Sequence, residues 1–347
     1  MNSRNRPVEI IVYPGFNAFR YSFYVHALRA LFSDRSICFS AKEFPPFKSH
    51  SLPVIVRWPA GEVNIYVSAG DGPGYDLPAL EWCDVYAKRT LMNEQIPQQF
   101  VSKIIPMGPH FGIRTWGIFD TLRMALRNYL AQDHHEMKFK DHLWYYLKQY
   151  LYRLPEEEFK PGQSRDNFVF YASTLYPSHP GYNQFRVAFI EACRATEGIQ
   201  FEGGLIRTDN FRVPEYEHIT ITKYYPVAEW IQKEKESALG FWAPGDQGAM
   251  TLKMGEFLAL GKAIIAVPIR QEQLPSPLVH GEHVHFVDGS LEEMKAAVHL
   301  LTTDHAYRQK LERNARKYYE EWVAPAQAMR RFIREGCQRV GIACGEI

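Results

Sequence analysis

PGDQGAMTLKMGEFLALGKAIIAVP, residues 244–268, decides the fold. Gly245 and Gly248 let the backbone turn tightly. Apolar residues then recur at helical spacing, so a helix is expected from about Ala249. Gly261 ends it, and the apolar run AIIAV of residues 263–267 follows as a buried strand. Loop, helix and strand in this order make one unit of a doubly wound α/β sheet. The amides at the helix start, residues 248–251, attract an anion such as a diphosphate. Lys253 and Glu256 share one helix face, where the cation suits phosphate and the carboxylate suits ribose hydroxyls. The same pair also reads as a solvated i,i+3 salt bridge.

The same rhythm extends outward in both directions. NFVFYAS (167–173), the Pro/Gly turn YPSHPGYN (176–183), the helical QFRVAFIEACRAT and the strand near IQFEGGL open the C-terminal half. ALGFWAP (238–244), KAIIAVP (262–268) and HVHFVD (283–288) supply further strands, and helices run from Leu291 to the end. Upstream, VEIIVYP (8–14) turns at Pro14, Gly15 and Asn17 into the helical RYSFYVHALRALF. ICFSA (37–41), LPVIVRW (52–58), VNIYVSA (63–69), a helix from about Leu77 and KIIPMG (103–108) continue the alternation, which argues a parallel sheet. Ile118 to Leu154 lacks Pro and Gly and reads as one or two helices. The polar PEEEFKPGQSRD after them marks a boundary, dividing the chain into 1–155 and 156–347, two Rossmann-like halves facing a cleft.

A chain of 347 residues fits two domains better than one. Its 40 Lys plus Arg nearly cancel its 39 Asp plus Glu, so no global field draws nucleic acid. No run approaches a membrane span, and the polar start MNSRNRP has no signal-peptide core, which predicts a cytoplasmic protein. Cys38, Cys83, Cys193, Cys337 and Cys344 are odd in number and contain no CxxC pair, so buried free thiols are expected.

The segment 244–268 resembles the donor-site region of the GT-B glycosyltransferases, bacterial group 1 members in particular. There a Gly-rich loop precedes a helix with a ribose-binding Glu, matched here by Glu256, and an AxGKPVV-like strand, matched by LALGKAIIAVP. The resemblance implies a nucleotide-sugar donor held by Gly245, Asp246, Gly248, Ala249, Met250, Lys253 and Glu256. YASTLYP, with Asn183 and Arg186 after it, looks like the first βαβ unit of the donor domain, which adds Ser173, Thr174 and Arg186. The N-terminal turn PGFNAFRYSFYVHAL would face the acceptor with Gly15, Asn17 and Tyr21. The last helix, after Pro325, would return to the first domain, and the loop from Pro268 to His285, with Gln273 or Leu274, would border the sugar. One departure stands out: many retaining members carry a Glu where this chain has Gly248, with Asp246 only nearby, so the resemblance does not choose between retention and inversion.

Glycosyl transfer needs the departing diphosphate stabilised, by a metal or by fixed dipoles and cations. The chain has no DxD triplet, so a metal-independent route with no cofactor is expected, using the helix start, Lys253 and Arg186. An inverting route also needs a base, for which Asp71 in AGDGPGYD stands just past a strand end, with Asp76 second. Both also suit plain turn chemistry. His280, His283 and His285 fit loop polarity better than a metal site. HLWYYLKQYLYRL fits packing better than membrane contact, although Tyr, Trp, Lys148 and Arg153 also suit the inner face of a membrane. The partners expected are a nucleotide-sugar donor and a glycan or lipid-linked acceptor, as in bacterial surface polysaccharide synthesis, with peripheral membrane contact and no nucleic acid. An epimerase or hydrolase on the same frame, or a nucleotide-binding scaffold without turnover, are the alternatives.

Overall fold

A computed structural model describes residues 8–47, 50–133, 137–175, 180–207 and 213–345. The polar lead of residues 1–7 and the first half of the turn YPSHPGYN, residues 176–179, lie outside the described residues. The chain divides into two units, Met1–Pro155 with Ala324–Ile347, and Glu156–Val323. The C-terminal segment, grouped with the second half when the chain is cut at residue 155, thus belongs with the first unit.

The first unit is built on a sheet of β1 (Glu9–Val12), β2 (Ile37–Phe39), β3 (Leu52–Trp58), β4 (Gly61–Ser68), β5 (Val85–Lys88) and β6 (Ile104–Pro106). Among the described residues its order is β2-β1-β3-β4-β5-β6. The strands β1 with β2, and β4 with β5 and β6, run parallel, as the alternation predicts. β3 departs from that expectation, pairing antiparallel with both β1 and β4. The reason is local: only Pro59 and Ala60 separate β3 from β4, a link long enough for a hairpin and far too short for a crossover. The helix α1 (Ala18–Leu31) and, after β4, the short α2 (Leu77–Trp82) follow the strand ends. Ile118 to Leu154 forms two packed helices, α3 (Ile118–Leu130) and α4 (Phe139–Leu151).

In the second unit β7 (Phe168–Thr174), β8 (Gln200–Ile206) and β9 (Thr220–Ile221) form one parallel triplet. β10 (Leu239–Trp242), β11 (Ala263–Ala266) and β12 (His285–Phe286) form another. The triplets meet at β7 and β10, where Ala238 N–H donates to Phe168 O at 2.7 Å. Ser237 bridges the same seam, its Oγ accepting from Phe170 N at 3.0 Å and donating to Leu239 O at 2.7 Å. Read across that seam the strand order is β9-β8-β7-β10-β11-β12, the doubly wound order that reverses between its first and fourth strands. Around it lie α5 (Pro180–Ala195), α6 (Val227–Glu236), α7 (Leu252–Ala259), α8 (Leu291–Thr303) and α9 (His305–Tyr318). The α6 helix and β9 occupy a stretch that shows no clear period in the sequence.

α10 (Pro325–Val340) returns to the first unit and packs against α1, β4 and β5. Its buried Ala328, Met329, Phe332, Ile333 and Cys337 recur at helical spacing, one apolar face for one core. Gly336 lies so close to β4 that a Cβ there would sit 2.1 Å from Val63 Cγ1. Gly341, at φ 72°, reverses the chain after α10 and brings Cys344 back to Cys337, with which it forms a disulfide. That corrects the expectation of free thiols for these two, while Cys38, Cys83 and Cys193 remain free. The pairing depends on a left-handed turn rather than on a spacing motif, so it does not show in the sequence. No helix of the described residues is long and apolar enough to cross a membrane.

Candidate functional site

The carboxyl ends of β7 and β10 lie side by side at the point where the strand order reverses, where an open α/β sheet leaves a crevice for ligands. Arg186, on α5, closes the base of that crevice. Its Nε donates to Ser173 Oγ at 3.2 Å, Nη1 to Tyr182 O at 2.7 Å and Nη2 to Pro244 O at 2.6 Å. The side chain is 2% exposed. Arg186 therefore ties β7 to the loop after β10 through a hydroxyl and two carbonyls of the unit. Ser173 is half-buried and Thr174 exposed at the strand end.

The loop after β10 is more closed than its glycines suggest. Gly245, Ala249 and Met250 are buried, while Asp246 and Gly248 are partly exposed. Gly245 N–H donates to Ala249 O (2.9 Å), Gly248 N–H to Gly245 O (3.3 Å) and Ala249 N–H to Asp246 O (3.0 Å). The helix starts at Leu252, not near Ala249, because residues 246–248 form a separate 3₁₀ turn. The amides at 248 and 249 are thus committed within the loop, and the helix start that an anion would meet moves to residues 252 and 253, since Met254 N–H donates to Thr251 O at 3.3 Å. Gln247 has φ 52° and Gly248 φ 75°, two successive left-handed residues, of which Gln247 is an uncommon position for a side chain. Gln273, buried, donates its Nε2 to Gly248 O at 3.2 Å and holds the loop from the side expected to border the sugar.

Lys253 and Glu256 do share a face of α7, 3.2 Å apart. They are joined by Glu234 of α6, a residue the sequence reading passed over. Glu234 is 2% exposed and pairs with Lys253, and Trp230 Nε1 donates to its Oε1 at 2.8 Å. The Lys253 ammonium also lies 4.0 Å from the Trp230 ring centroid, a cation–π contact. Burial lifts the Glu234 carboxyl to about 7, against the pull of Lys253. Burial disfavours the charged form of Lys253, but Glu234 and Glu256 outweigh it and hold the ammonium above its ordinary value. Trp230 stacks edge-on against Phe170 of β7 at 5.5 Å, so the cluster is anchored to the sheet. The four-residue spacing of Trp230 and Glu234 is the one signal in VAEWIQKEKE that could have pointed here.

In the first unit Asp71 is 41% exposed and paired with Arg89 Nη1 at 2.6 Å. Asp76 caps α2, accepting from Ala79 N at 3.2 Å, and also accepts from Tyr66 OH at 3.2 Å. One of its oxygens thus serves the helix start and the other a tyrosine hydroxyl. Lys88, 2% exposed, donates to Gly72 O (2.8 Å) and Gly74 O (2.7 Å), and burial lowers its ammonium to about 8. The acceptor candidates are structural in the described contacts. Asn17 caps α1 through Arg20 N at 3.1 Å. Tyr21 is fully buried, accepting from Ala69 N at 3.2 Å and donating to His50 O. A Cβ on Gly15 would meet Tyr13 Cε1 at 2.8 Å.

The histidines of HGEHVHF turn to their own neighbourhood. His280 Nδ1 accepts from Phe286 N at 3.0 Å, His283 Nδ1 from Val279 N at 3.2 Å, and His285 Nδ1 meets Tyr307 OH at 3.0 Å.

No protein-family model matches this chain, and no curated protein matches it in sequence. Among solved structures it is similar to a glycosyltransferase from Rickettsia africae, at 8% identity and TM-score 0.43, over 80% of this chain and 71% of that one. It is also similar to HepE of Anabaena, solved in complex with UDP-glucose, at 10% identity and TM-score 0.40, over 75% and 67%. A third likeness, to TarM, has 10% identity and TM-score 0.38 and covers 50% of this chain but only 36% of TarM. Likeness at this level does not assign an activity.

Proposed function

We propose that this chain is a glycosyltransferase, carrying a sugar from a nucleotide-sugar donor on its second unit to a hydroxyl of a glycan or lipid-linked acceptor, without a metal ion. One observation carries the reading: the strand order reverses between β7 and β10, where Arg186 ties Ser173 at the end of β7 to Pro244 before the glycine loop, and Lys253 and Glu256 share a face of the helix that follows that loop. Glu256 offers carboxylate oxygens to ribose hydroxyls. Lys253 and the amides heading α7 offer positive charge to the diphosphate as it departs, which is where stabilisation lowers the barrier. Lys253 is held by Glu234 and Glu256, so a phosphate that takes up its charge competes with a carboxylate partner. On the first unit Asp71 is the remaining candidate base, oriented by Arg89 and open enough to reach an acceptor hydroxyl. Bacterial surface polysaccharide synthesis is the pathway the family resemblance suggests.

The test is a thermal-shift panel with UDP, GDP, ADP, CMP and their sugars, on wild type and Glu256→Ala. A ligand that binds only the native state raises the melting temperature. One nucleotide is expected to stabilise wild type, with the shift abolished by the substitution. A folded protein that responds to none of them would overturn the donor site and with it the transferase.

A further inference from the structure

Three charges meet in a largely buried place on the second unit, and they do not cancel. Glu234 and Glu256 both reach the Lys253 ammonium, Glu256 at 3.2 Å. Two carboxylates against one ammonium leave one negative charge over. The side chains of Glu234, Glu256 and Lys253 are 2%, 14% and 22% exposed, so little water screens that charge. Glu234 is the more confined of the two acids. Its Oε1 accepts from Lys253 and from the Trp230 indole, while its Oε2 is buried and has no hydrogen-bond partner among the described residues. A buried carboxylate oxygen without a donor is costly while charged, and a proton relieves that cost. Lys262, just before β11, also acts on Glu234, but its ammonium is turned to Lys235 O at 3.0 Å. Lys253 is the second residue of α7, and helical side chains lean toward the helix start. An anion drawn to that start therefore competes with Glu234 for one ammonium.

We propose that Glu234 is a positioning residue of the donor site, holding Lys253 until the donor diphosphate takes the ammonium and then accepting a proton on Oε2, so that donor binding takes up a proton. The inference rests on the transferase reading of the second unit. The step balances with one proton. The Glu234–Lys253 ion pair opens, the ammonium keeps its hydrogens and pairs with a phosphate oxygen, and the carboxylate becomes a neutral acid with a proton from the buffer. Without that proton two carboxylates would share a buried site without their cation, and like charges so placed do not both stay ionised. Burial already lifts the Glu234 carboxyl to about 7 against the pull of Lys253. Losing Lys253 lifts it further. The uptake is therefore small at pH 6, where the acid already carries its proton, and grows above pH 7.

The experiment is isothermal titration of the full chain with UDP-glucose, GDP-mannose and ADP-glucose at pH 6, 7 and 8, in buffers of different ionisation enthalpy. Both phosphates of each probe are esterified, so none of them titrates in this range. One probe is expected to bind with uptake of most of one proton at pH 8 and almost none at pH 6, its Kd rising about tenfold over that span. Glu234→Gln keeps an acceptor for Trp230 but cannot ionise. It should bind the same probe about tenfold tighter than wild type at pH 8, with no proton uptake and no such pH trend. A merely structural role for Glu234 would move the affinity and leave the proton count alone. Equal uptake by the two proteins would overturn the proposal. So would wild-type binding without proton uptake at pH 8, a result that needs no variant to fold. Folded wild type that binds none of the three probes would overturn the donor reading itself, and this inference with it.

Discussion

Two glycine-rich loops at strand ends, residues 70–76 in the first unit and 244–249 in the second, have similar composition and opposite wiring. In the first, carbonyls are spent: Gly72 and Gly74 turn theirs to the Lys88 ammonium, and Thr90 Oγ1 donates to Gly70 O at 3.4 Å. In the second, amides are spent: Gly245, Gly248 and Ala249 donate to carbonyls of their own loop. Glycine permits either arrangement, and the neighbours choose between them. The first loop is fixed by a buried cation beneath it. The second is fixed by its own left-handed pair and by Gln273 beside it.

The strongest test of this contrast is Lys88→Met. It leaves two loop carbonyls without their charged donor and should cost about 2–3 kcal/mol in denaturant unfolding. An unchanged midpoint would show that water replaces Lys88 and that the loop is not held from below.

Two buried sites, Glu234 in the second unit and Lys88 in the first, should also answer pH in opposite senses. The Glu234 carboxyl is raised to about 7 in the folded state, so the native form binds its proton more tightly, and this contribution to stability is lost as pH climbs from the ordinary glutamate range through 7. Lys88 is lowered to about 8, so the unfolded chain binds more protons, and stability from this site is gained as pH climbs from 8 through the ordinary lysine range. Buried Lys262, also lowered to about 8, adds to the second trend. Glu234→Gln should flatten the acid-side slope, and Lys88→Met should weaken the alkaline rise. Stability curves of the three proteins against pH read both, and parallel curves would remove the contrast.

The smallest expected effect is in the second loop. Gly248→Ala places a Cβ at φ 75° and should destabilise by about 1 kcal/mol, measured by the same unfolding. A neutral result would mean the loop relaxes out of its left-handed pair.

The alternation of short apolar runs with helical periods is written in the chain, and it is enough for two α/β units because burial of one face per element is a property of spacing. The glycine loop, α7 and the Lys253–Glu256 pair were legible for the same reason, since residues three apart on a helix meet wherever the helix lies. What tertiary structure decided was partnership at a distance in sequence. Glu234 reaches Lys253 across 19 residues, Arg186 reaches Pro244 across 58, and α10 joins the first unit. Asp76 became a cap and Arg186 a buried tie because a side chain's chemistry offers several bonds, and only the packed chain determines which acceptor or donor stands within 3 Å.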